Sequence, residues 1–144
     1  LFKGDKYRSP LLQKLTFGTY NKGIRLENGW ICTDEDEVRK YNESELCGYI
    51  FTNNGFLNLY RLMQNAFCKK GWMLGNPQLP IFMIAGSDDP VIQSEQKFRA
   101  LWDFLRSRGY MAISHKLYPG KRHELLNERG KMEIYQDILD FIQQ

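Results

Sequence analysis

Leu79-Pro80-Ile81-Phe82-Met83-Ile84-Ala85-Gly86-Ser87-Asp88-Asp89-Pro90 is the stretch on which the fold turns. From Leu79 to Ala85 the chain is almost continuously apolar, and Gly86 ends the run. A strand with one face in water would alternate apolar and polar residues; an unbroken run predicts a strand covered on both faces, as in a parallel sheet.

Outward from this stretch, Ser94 is placed to cap a helix whose buried stripe is Phe98, Leu101, Trp102 and Leu105, with Gly109 at its end. Tyr110 to Tyr118 alternates loosely as a second strand, and Pro119-Gly120 makes the following turn. A last helix is expected from about Lys131, with Ile134, Ile138, Phe141 and Ile142 facing inward. Strand, crossover helix and strand form a βαβ unit, so the two strands should run parallel in one sheet.

Upstream, residues 1 to 75 show no convincing strand. Ser9-Pro10 can start a helix through Leu11, Leu12 and Leu15, and Thr33 with Asp36 makes a variant capping box before Val38 and Tyr41. From Phe56, the residues Leu59, Tyr60, Met63 and Phe67 recur at helical spacing and give an apolar face. The break at Gly75-Asn76-Pro77 separates a helical region, 1–75, from a β-α-β-α region, 76–144. It reads as the junction between an insertion and a sheet.

Bulk properties narrow the function classes. With 144 residues the chain can bury a sizeable core. Its net charge of +3 is spread evenly among acids and bases, which argues against a nucleic-acid partner. The longest apolar run is far shorter than the roughly 20 residues of a transmembrane helix. Cys32, Cys47 and Cys68 lack the close spacing of a zinc knuckle or a redox dithiol, so reduced thiols and a cytoplasmic setting are expected. The start at Leu1 reads as a cut, with no signal peptide.

Ligands of open α/β sheets bind beyond the carboxyl ends of the strands. The first strand is followed by Asp88-Asp89-Pro90 and the second by Lys121-Arg122-His123-Glu124. An acid and a histidine so placed could meet above the sheet as an orienting carboxylate and a general base. Taken singly, each has a plainer reading: Asp-Asp-Pro starts a turn, and a histidine beside Lys121 and Arg122 is a surface residue.

Gly86-Ser87-Asp88-Asp89-Pro90-Val91 with Tyr118-Pro119-Gly120-Lys121-Arg122-His123-Glu124-Leu125-Leu126-Asn127-Glu128 resembles the last third of the α/β-hydrolases grouped with monoacylglycerol lipases, lysophospholipases and S33 serine aminopeptidases. Ser9-Pro10-Leu11-Leu12, Phe17-Gly18-Thr19-Tyr20-Asn21, Trp30-Ile31-Cys32-Thr33-Asp34 and Leu46-Cys47-Gly48-Tyr49 resemble the helical lid of bacterial members. The resemblance covers nearly the whole chain and implies a partial α/β-hydrolase fold, with a helical lid followed by a βαβα unit of parallel strands. It implies Asp89 as the triad acid, with Asp88 the competing choice, and His123 as the base. The chain order, acid before histidine, agrees. His115, in mid-strand, is read as structural, and Glu124, Asn127 and Glu128 as fixing the loop that carries His123 or as a solvated face.

The nucleophile is missing. A hydrolase elbow needs Gly-x-Ser-x-Gly, and no glycine here is followed two positions later by serine. The three cysteines precede the acid and follow no strand-turn-helix pattern. The resemblance therefore implies a C-terminal fragment of an enzyme that cleaves carboxylic esters through an acyl-enzyme, inactive alone, without metal or organic cofactor. Its expected partners are a small lipid-like ester and the N-terminal half of the same enzyme. S33-type peptide cleavage is one alternative; a non-catalytic helical binding module with a degenerate hydrolase tail is another. Phe17, Tyr20, Trp30, Phe51, Phe56, Tyr60 and Trp72 are read as packing, which together suit a greasy substituent. Two strands from the end of a larger sheet also predict self-association of the chain by itself.

Overall fold

Ser9 opens the first helix, α1 (Pro10–Phe17): its side chain accepts from the Leu12 amide, and Pro10 fills the first turn, where a missing N–H costs nothing. The computed structural model describes residues 3–68 and 70–144. After α1 come a 3-10 turn (Gly29–Ile31), α2 (Glu35–Glu43) and α3 (Asn53–Ala66). Thr52 caps α3 through the Gly55 amide.

The cap of α2 differs from the capping box expected. Asp34, not Thr33, takes the Asp36 amide. The Thr33 side chain is held by the Glu128 carboxylate, to which its hydroxyl donates in a charge-assisted bond. Among the described residues before 76, the backbone makes no strand beyond an isolated antiparallel bridge between Arg8 and Thr52.

The second region runs β1 (Ile81–Gly86), α4 (Glu95–Ser107), β2 (Ile113–Tyr118), a 3-10 turn (Leu125–Asn127) and α5 (Lys131–Ile142). The strands pair in parallel, from Ile81 opposite Ile113 to Gly86 opposite Tyr118. Both are shorter than the patterns that foretold them. Pro80 has no N–H for the ladder, and the Tyr110 amide closes the end of α4 on the Leu105 carbonyl.

Helices cover the two faces of this ribbon. On one side Met83, Ala85 and Phe98 are buried together, with Leu101, Trp102 and Leu105 of α4 packed against them. On the other, Tyr118, Leu125 and Ile134 form a second cluster joined by Ile84 and Ile138. Each side chain so enclosed contributes about 1.5–3 kcal/mol relative to exposure. Lys116 and Tyr118 both bond Asp137, at 2.6 and 2.7 Å, and tie α5 to β2. A separate small core of Ile31, Cys32 and Val38, with Trp30 and Tyr41, lies in the helical region.

Three expected faces are less covered than their patterns implied. Ile142 is 72% exposed, while its neighbour Phe141 packs on Phe82 of β1. In α3 only Phe56 is buried, while Tyr60, Met63 and Phe67 remain exposed. Leu11 and Leu15 of α1 are exposed as well.

Candidate active site

The parallel ladder continues past the strand ends. The Ser87 amide donates to the Tyr118 carbonyl at 2.9 Å and the Asp88 amide to the Lys121 carbonyl at 2.9 Å. The Gly120 amide donates to Ser87 Oγ at 2.8 Å. Gly86 permits this closeness: a Cβ there would stand 2.1 Å from the Lys121 carbonyl oxygen and 2.4 Å from that of Arg122. The loops after β1 and β2 are thus stitched edge to edge.

That stitching brings Asp89 to His123. Nδ1 of His123 lies 2.9 Å from Oδ2 of Asp89. The carboxylate is 7% exposed, and its other oxygen accepts the Val91 amide at 2.8 Å, so both its orientation and its reach are set. The imidazole is half-open to solvent. Its pKa is raised above the ordinary value, first by the hydrogen bond to Asp89, against the opposing effect of burial, and further by the charges of Asp89 and Glu124. Trp30 packs against the ring.

The loop holding the histidine is anchored on the helical region. The Glu124 amide donates to the Ile31 carbonyl at 2.6 Å. The Arg122 guanidinium donates to the carbonyls of Gly29 and Cys32 at 2.6 and 3.0 Å. Glu128, 1% exposed, accepts from the Arg122 amide, while the Asn127 side chain donates to Glu124 at 2.8 Å. Of the three acidic or amide residues read from the sequence as fixing this loop, Glu128 is therefore enclosed and Glu124 and Asn127 pair at its outer side.

Asp88 lies elsewhere. It is exposed and takes a hydrogen bond from Ser87 Oγ at 2.8 Å. His115 sits on the α4 side of β2, edge-on to Phe98 and tilted against Trp102. The cysteines are free; Cys32 is buried, and that burial pushes its thiol pKa up, which keeps it protonated and poorly nucleophilic. Among the described residues no three His, Cys, Asp or Glu side chains gather as a metal site, and no helix is long and apolar enough to cross a membrane. Sequence reasoning missed the contributions of Trp30, Thr33 and Arg122, which join segments about ninety residues apart and leave no local pattern.

An imidazole held by a buried carboxylate at Nδ1 presents Nε2 as a proton acceptor, the arrangement of an acid–base pair in acyl transfer. Residues 5–130 match the family described as serine aminopeptidase, S33. The chain belongs to the S33 family. Two solved structures resemble this S33 chain over nearly all of its length. One is a highly thermostable carboxyl esterase from Bacillus coagulans in complex with glycerol, with a TM-score of 0.79 at 22% identity, covering 96% of this chain and 46% of the other. The second is a lipase in an open form, with a TM-score of 0.81 at 20% identity, covering 98% of this chain and 47% of the other. The chain therefore spans about half the length of these structures and has the fold of the corresponding part of an α/β-hydrolase. No curated protein matches it.

Proposed function

We propose that this S33 chain supplies the acid and base of a serine hydrolase that cleaves carboxylic esters through an acyl-enzyme. The observation that carries the reading is the 2.9 Å contact between Asp89 and His123 at the carboxyl ends of two parallel strands. His123 takes the proton of the nucleophile at Nε2 and later returns it to the leaving alcohol; Asp89 holds the tautomer and stabilises the imidazolium. The serine comes from a segment outside these 144 residues, since no Gly-x-Ser-x-Gly occurs among them.

In this reading residues 1–75 form the lid and 76–144 the catalytic part of the core. A monoacylglycerol or lysophospholipid is the favoured substrate class. Support comes from a cavity of about 270 Å³ lined by Phe17, Trp30, Tyr41, Tyr49 and Phe51, whose Trp30 wall also touches His123. Peptide-bond cleavage is the second reading, favoured by the description of the family itself.

The test uses the enzyme that contains this chain together with its nucleophile. His123→Ala and Asp89→Ala should each lower p-nitrophenyl ester hydrolysis by roughly 10³-fold or more, while Asp88→Ala and His115→Ala stay within a few-fold. A His123→Ala protein near wild-type rate sinks the assignment. Faster turnover of aminoacyl amides than of esters would select the peptidase reading. The chain prepared alone should leave a fluorophosphonate probe unreacted, because such probes need an activated nucleophile.

A further inference from the structure

We propose that Glu128 is a positioning residue for His123, clamping the backbone on the amino side of the histidine to Thr33 while the Ile31 carbonyl holds the other side. The proposal rests on the reading of His123 as the base.

A carboxylate that is 1% exposed is costly to bury unless its oxygens are used. Those of Glu128 are well used. Oε1 accepts the Arg122 amide at 2.7 Å and the Thr33 amide at 3.1 Å, and Oε2 accepts the Thr33 hydroxyl. The Arg122 amide belongs to the residue just before His123. The amide of the residue just after, Glu124, donates to Ile31 at 2.6 Å. The amides of the residues on either side of the histidine are therefore held by one block, residues 29–33 with Glu128. The same block presents Trp30 to the imidazole.

A loop residue would otherwise keep the freedom typical of surface connections. Here the backbone of His123 is fixed on both sides, which aims Nδ1 at Asp89 and leaves Nε2 in one direction. Glu128 acts through the backbone, since the charges bearing on the imidazole are those of Asp89 and Glu124. A side chain without acceptors cannot replace it: alanine would leave the amides of Arg122 and Thr33 unpaired, whereas glutamine keeps one oxygen for both amides and can donate its NH₂ to the Thr33 hydroxyl.

The experiment compares Glu128→Ala, Glu128→Gln, Thr33→Val and Thr33→Ser in the ester-hydrolysing enzyme, with the Nδ1 proton resonance of His123 as a second readout. Glu128→Ala should lower kcat about 10- to 100-fold with KM within about twofold, because misplacement of a base by a fraction of an ångström acts on the chemical step, and Glu128→Gln should restore most of it. Thr33→Val should lower kcat by a smaller factor and Thr33→Ser restore it, and the His123 resonance should shift or broaden in step with kcat. Unchanged kcat in Glu128→Ala overturns the proposal. So does a fall in kcat with the resonance unmoved, which would mark a merely structural carboxylate. If Glu128→Ala does not fold, the Thr33 pair decides by the same two readouts. Near wild-type hydrolysis by His123→Ala would instead remove the base reading, and the resonance in Glu128→Ala would still judge the clamp.

Discussion

The indole of Trp30 lies 5.2 Å from the imidazole of His123, ring centre to ring centre, with the planes tilted by 42°. Tyr20 backs the indole edge-on at 5.1 Å. The histidine is thus held between a buried carboxylate and an aromatic wall from the helical region. These two neighbours act on its proton in opposite senses: Asp89 favours the imidazolium, and burial disfavours it.

On the proposed reading His123 acts only when neutral, so its raised pKa should place the acid limb of kcat/KM above the ordinary imidazole value of about 6.5. Asp89→Asn should move the limb of the remaining activity to lower pH, and Trp30→Ala, by uncovering the ring, should move it higher. A pH–rate series on both variants with a p-nitrophenyl ester checks the pair of signs. Movement in the same direction would contradict the account.

The same linkage predicts a pH dependence of stability. A folded-state pKa raised above the unfolded one contributes stability that is fully present below the unfolded value and lost as pH rises through the folded value. His123→Gln should therefore lower the urea midpoint more at about pH 6 than at about pH 9. Equal losses at both would show that the pair contributes nothing through its charge.

Gly86→Ala should be harmful although the change is one methyl. Its Cβ would meet two backbone carbonyls at 2.1 and 2.4 Å, neither of which can rotate away as a side chain could. The cost should be about 1–3 kcal/mol or more in urea unfolding, and hydrolysis should fall further than stability explains, because the displaced residues are Lys121 and Arg122 beside His123. A fully active and stable Gly86→Ala protein would show that the two loops are not so tightly stitched.

On α5, Ile134→Ala should cost about 2–5 kcal/mol, whereas Ile142→Ala should stay within about 0.5 kcal/mol. The first residue is 1% exposed and the second 72%. Urea midpoints of the two variants give the comparison directly, and equal losses would mean that α5 is packed otherwise.

Prepared by itself, the chain should self-associate. Its sheet has two strands, each with an outer edge, and Leu62, Met63 and Phe67 leave an apolar face uncovered on α3. Light scattering at micromolar concentration tests this; a well-dispersed monomer with a cooperative melt would show that the chain completes its own core.

Much of this arrangement was legible in the chain itself. The run Leu79–Ala85 is short and closed by Gly86, which favours a covered strand over a helix, and the Ser94 cap and the Phe98–Leu105 stripe are signals exchanged within one or two turns. Asp89 and His123 follow the two strands in sequence, so a parallel pairing necessarily puts both at the same end of the sheet. Their catalytic reading came from the resemblance of the motifs, beyond what spacing alone could say. Other features were decided only by the tertiary fold: Asp34 rather than Thr33 caps α2, Ile142 faces solvent, Trp30 packs on His123, and Glu128 bonds Thr33, 95 positions away. The physical reason is range. A local pattern records what a residue can do with neighbours a few positions off, whereas the choice among several distant donors for one buried carboxylate is made only when packing brings one of them within hydrogen-bond reach.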